Sequence, residues 1–103
     1  MKKILWIPYN NFNDITYINE INEDGYLNYS ARLKSKPKRI KDIKIILKEL
    51  INSEKMTQED LKLTAVEFEY NDKRNVTEIL GISQNPITLN YVIVVDFLFS
   101  GQL

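Results

Sequence analysis

The stretch from Thr88 to Phe99 limits the fold more than any other. Leu89, Tyr91, Ile93, Val95, Phe97 and Phe99 alternate onto one face, while Val92, Val94 and Leu98 share the other with Asn90 and Asp96. A strand that is apolar on both faces belongs in the middle of a sheet, covered by a second layer. The chain must therefore supply neighbouring strands and a cover. Its 103 residues suffice for a single domain, 1–103, with one modest core. A hydrophobic fraction of 44% against 27% charged residues places it with globular proteins.

The periodicity predicts that the cover is a main helix over about 36–53. Ile40, Ile43, Leu47, Leu50 and Ile51 recur at helical spacing with Ile46 beside them. Ser35 suits an N-cap and Pro37 a first turn. Lys41, Lys44 and Lys48, three and four apart, then form a positive ridge. Thr64 to Tyr70 alternates like a strand, with Val66, Phe68 and Tyr70 opposite Ala65, Glu67 and Glu69. Thr57 to Asp60 suggests one helical turn ahead of it.

Two segments remain open. Val76 to Ser83 reads as a strand, or as a short helix capped by Asn75 and ended by Gly81; Gln84-Asn85-Pro86 favours the strand, as a turn into the last one. Ile15 to Ile21 reads as one arm of a hairpin with Tyr26 to Leu33, or as a helix capped by Asp14. Its β-branched and aromatic content favours the hairpin. Lys3 to Tyr9 reads as a further strand. The sum is an α+β fold: a mostly antiparallel sheet of about five to six strands with one main helix packed on a face, in the order β-β-β-α-β-β-β.

Histidine and cysteine are both absent. That excludes disulfides, thiolate metal sites, and nucleophilic catalysis that relies on an imidazole base. No phosphate-binding glycine loop occurs, since Gly25, Gly81 and Gly101 stand alone. No catalytic residue, metal site or cofactor is expected. Neither a secretory leader nor a run of about 20 apolar residues is visible, so a cytoplasmic location is the expectation. Lysine outnumbers arginine 11 to 3. With the many isoleucines and asparagines, this suggests an AT-rich genome such as that of a low-GC bacterium or its phage.

Net charge is zero, but the charges are segregated. Arg32, Lys34, Lys36, Lys38, Arg39, Lys41, Lys44 and Lys48 lie in one stretch; Glu49, Glu54, Glu59, Asp60, Glu67, Glu69 and Asp72 lie in the next. The basic segment, without Lys34, is a candidate contact for phosphates or an acidic protein surface; a solvated helix face gives the same pattern. Glu67, Glu69 and Asp72 on one strand face suit partner binding, or simple protection of a sheet edge. Tyr9, Tyr17 and Tyr26, interleaved with asparagines, suit a protein-recognition surface. Asp96, in an apolar strand, reads as structural.

The leading expectation is a small non-enzymatic protein that binds a surface of a larger protein. Phage- or mobile-element-type inhibitors and toxin-neutralising immunity proteins share this size and composition, an analogy of class only. A nucleic-acid-binding module using Arg32–Lys48 is the first alternative. A structural subunit of a phage particle, pairing through its C-terminal strand, is the second.

Overall fold

The computed structural model describes residues 4–19, 26–34, 42–70 and 79–96. They form the α+β architecture expected, with five strands and one helix: β1 (Phe12–Asn19), β2 (Tyr26–Leu33), β3 (Ile43–Leu50), α1 (Gln58–Tyr70), β4 (Ile79–Gln84) and β5 (Tyr91–Asp96). The sheet runs β1-β2-β3-β5-β4, and every neighbouring pair is antiparallel. None of the helices in the described residues is long and apolar enough to cross a membrane.

Of the predicted elements, β2 falls at the predicted bounds. It pairs with β1 as the predicted hairpin partner, so the helix alternative is set aside over 14–19, while 20–21 lie outside the described residues. The ambiguous 76–83 segment contributes β4. The last strand lies, as its two apolar faces require, inside the sheet between β3 and β4.

The helix, however, is not where the periodicity put it. Residues 43–50 of the expected 36–53 helix are β3, and 35–41 lie outside the described residues. Residues 45–50 are all buried because both faces of β3 are covered. A strand buried on both faces reads as a continuous apolar run, which a helical template also fits. The β-branched Ile43, Ile45 and Ile46 favour the strand locally. The lysine ridge dissolves with the helix. Lys48 is only 6% exposed; its Nζ donates to Asn28 Oδ1 at 2.8 Å and lies 5.8 and 5.6 Å from the ring centroids of Tyr26 and Phe68.

Conversely, the expected 64–70 strand is part of α1. Thr57 caps this helix, its Oγ1 accepting from the Asp60 N–H at 3.1 Å. Glu59 and Asp60 complement the positive end of the helix dipole. Leu61, Ala65 and Phe68, at i, i+4 and i+7, face the sheet. They pack on Tyr26, Leu50, Ile79, Ile82, Ile93 and Val95, while Phe12, Ala31, Ile45, Leu47, Val92 and Val94 form a second core on the opposite face.

The cover of that second face comes from the first residues described. Trp6 bridges Ile82 in parallel; the Ile7 N–H donates to Ile82 O at 2.8 Å, and the Ile82 N–H to Leu5 O at 2.9 Å. The strand expected over 3–9 is thus a short pairing at the β4 edge, followed by a 3₁₀ turn at Tyr9–Asn11 that leads directly into β1. In a flat sheet the segment outside β4 and β1 at the far edge would stand about 24 Å apart, five strand spacings. The five steps from Ile7 to Phe12 reach at most about 18 Å. The sheet therefore curls, and Ile7 and Tyr9 pack against its second core.

Gly81 makes this closure possible. A Cβ there would lie 2.5 Å from Leu5 O and 2.7 Å from Ile7 Cδ1. Gly81→Ala should detach the 4–7 segment and cost about 1–3 kcal/mol, the usual range for overpacking. Urea unfolding followed by the emission of Trp6 will measure the loss, because this sole tryptophan packs edge-on against Tyr91 at 6.4 Å.

Candidate functional site

Glu49 lies near the end of β3, one residue past Lys48, so the pleat turns it to the face opposite α1. It is 1% exposed. Burying a carboxylate costs several kcal/mol unless hydrogen bonds replace its water. The replacements all come from the loop joining β4 to β5. Asn85 Nδ2 donates to Oε1 at 3.0 Å, while Thr88 Oγ1 and Asn90 Nδ2 donate to Oε2 at 2.9 and 3.0 Å. Three of its about four acceptor positions are thereby filled. The carboxylate works as a brace.

The loop is tied to itself as well. Asn85 N–H donates to Asn90 O at 2.9 Å and Leu89 N–H to Asn85 O at 2.8 Å. Ile87 N–H donates to Asn85 Oδ1 at 2.9 Å, Asn90 N–H to Thr88 Oγ1 at 3.1 Å, and Gln84 Nε2 to Leu89 O at 2.9 Å. The turn after β3 adds an outer anchor: Ser53 N–H donates to Asn90 Oδ1 at 3.3 Å, and Tyr91 N–H to Ser53 Oγ at 2.8 Å. The polar side chains thus turn inward and the apolar ones outward. Ile87 is 89% exposed and Leu89 51%.

Tyr9 and Tyr29 flank Glu49 electrostatically. Burial, then the charge of Glu49, then a neighbouring tyrosine (Tyr29 for Tyr9, Tyr17 for Tyr29) push both phenols above the ordinary value of 10.0. Both stay neutral at physiological pH. Tyr17 and Tyr29 meet edge-on at 5.4 Å, as do Tyr9 and Phe12 at 5.3 Å.

The residues singled out by sequence do not form one surface. Tyr9 and exposed Tyr17 belong to the Glu49 side, but Tyr26 is buried in the core under α1 against Phe68. Of the basic patch, Arg32 and Lys44 are exposed and opposite each other on β2 and β3. Arg32 Nε lies 3.8 Å from Asp14 Oδ2. Lys36, Lys38, Arg39 and Lys41 lie outside the described residues, and Lys48, being buried, is withdrawn from the patch. Glu67 is exposed on α1. On a helix, positions two apart, such as 67 and 69, do not share a face, so the acidic strand face does not exist; Asp72 and the side chain of Glu69 lie outside the described residues.

What the sequence reading missed is Glu49 with Asn85, Ile87, Thr88, Leu89 and Asn90. One signal was there. Ile79 to Val95 carries no charged side chain, so its polar residues invite the question of what they bond. The sequence matches no known protein-family model and no curated protein.

Glu49→Ala would strand three donors, two of them on half-buried residues and one on an exposed residue, and should cost about 1–3 kcal/mol in urea unfolding, with faster amide exchange at Ile87 and Leu89. The tyrosines give a pH prediction of definite sign. Their folded pKa values lie above the unfolded one, so their contribution is complete below pH 10.0 and is lost as pH rises beyond it. The unfolding midpoint should fall above that pH, and Tyr9→Phe should flatten the fall.

Proposed function

We propose that this chain is a small non-enzymatic binding protein that occupies a surface of a larger protein, and that the 85–90 loop is the element that docks. The observation behind this reading is Ile87, 89% exposed at the tip of a loop braced on a buried carboxylate. An aliphatic side chain held in water gains about 1.5–3 kcal/mol when a partner buries it. A loop already fixed in one shape loses little further entropy on docking, so more of that gain appears as affinity. Anchors of this kind, seated centrally in a pocket, carry most of the energy of an interface. Inhibitors of phage or mobile-element type and toxin-neutralising immunity proteins act by such occupation, and they are the class proposed.

The test is retention of a partner by the immobilised full chain from a lysate of a low-GC bacterium at ~150 mM salt. Ile87→Asp should abolish retention while moving stability by no more than about 0.5 kcal/mol, as is usual for an exposed position. Lys62→Glu, on the exposed side of α1, should retain the partner. Absence of any retained protein, or equal retention by Ile87→Asp, overturns the reading.

A further inference from the structure

We infer that Leu89 is a second anchor of the same loop, and that the partner is a protein offering one uncharged, concave, apolar pocket to Ile87 and Leu89 together. The inference rests on the docking role proposed for the loop and goes on to specify the chemistry of what it meets.

The first argument is the backbone. Among the described residues, three that are not glycine have left-handed φ: Asp14 at 53°, Asn52 at 59° and Leu89 at 66°. Aspartate and asparagine tolerate this region because their short polar side chains bond locally. A leucine there is an outlier that costs about 1–2 kcal/mol. Leu89 is 51% exposed, so packing within the chain recovers only part of the burial a leucine can gain. A loop needed only to join two strands would carry glycine or asparagine here, as the turn after β3 does at Asn52. Strain of this kind collects where a side chain is wanted for contact with something else.

The second argument is charge and solvation. No Asp, Glu, Lys or Arg occurs from Ile79 to Val95. The N–H groups of Ile87, Leu89 and Asn90 and the carbonyls of Asn85, Leu89 and Asn90 are already paired within the loop. The side chains of Asn85, Thr88 and Asn90 are occupied on Glu49. These groups ask nothing of a partner on docking, so the two side chains can enter an apolar pocket while the Thr88 N–H and the carbonyls of Pro86, Ile87 and Thr88 meet water or polar groups at its rim. The two anchors are two residues apart, so their Cα atoms lie within about 7 Å and one pocket can take both. A bilayer is the poorer match: adsorption to anionic lipid draws on clustered lysines and arginines, which this stretch lacks.

The experiment has two arms, both on the full chain. In the first, wild type, Leu89→Asn and Leu89→Gly are unfolded in urea. The midpoint should hold or rise in Leu89→Asn; a fall in both variants would mean that the leucine serves the fold, and would overturn the inference with no partner involved. In the second, the protein retained by the wild type is purified and titrated. Leu89→Asn should weaken binding about tenfold, as expected for an anchor losing its burial. Wild-type affinity should change less than about twofold between ~50 and ~500 mM salt, as expected where no charges meet. Undiminished binding by Leu89→Asn, or a steep salt dependence, overturns the second anchor while the docking role of Ile87 stands. If instead vesicles of phosphatidylcholine and phosphatidylglycerol bind the wild type and release Leu89→Asn, the occupant is lipid and the protein pocket is wrong.

Discussion

A carboxylate taken out of water has to be met by donors, and for Glu49 those donors all sit in one loop. That single requirement links distant parts of the chain. Glu49 belongs to β3, near the middle of the sheet, whereas Asn85, Thr88 and Asn90 lie beyond β4, at its edge. The carboxylate thereby fixes the shape of the connection between β4 and β5. The Ser53 turn, which follows β3, reinforces it from outside. The inward orientation of the loop's polar groups, and so the outward orientation of its aliphatic ones, follows from meeting one buried charge.

The same economy appears on the other strand faces. Lys48 is adjacent to Glu49 and points the opposite way, toward Tyr26, Asn28 and Phe68 under α1. Two neighbouring residues of opposite charge are therefore buried on opposite faces of one strand. Each is met by partners suited to it: amide and hydroxyl donors for the anion, an amide oxygen and aromatic faces for the cation. The apolar cores on either side remain contiguous, because each charge sits toward the end of the sheet where polar loops or long side chains can reach it.

Much of the fold was legible and the site was not, for related reasons. β2 and β5 could be read because alternation and β-branched content pointed the same way there, and the turn residues before β5 agreed. Ile43 to Leu50 was misread because burial on both faces removes the alternation that marks a strand. Thr64 to Tyr70 was misread because its alternating pattern happens to sit beside a helical one, Leu61–Ala65–Phe68, set by the Thr57 cap. The charge pattern misled in the same way, since Lys48 and Glu49 were counted as surface charges. Only their cross-sheet partners reveal that they are buried. Ile87 carried no mark in sequence at all, because an exposed isoleucine and a buried one are written with the same letter.

The pairing of Trp6 with Ile82 bears on how the chain reaches its native state. During synthesis the 4–7 segment leaves the ribosome well before β4, the strand it lies against. β3 is in the same position, since its inner neighbour β5 follows both α1 and β4. Until those partners arrive, β3 has a bare edge and two greasy faces. Contacts this remote in sequence slow folding and prolong the interval in which chains can aggregate. Neither β3 nor the 4–7 segment can therefore be closed over until the chain has been made as far as β4 and β5.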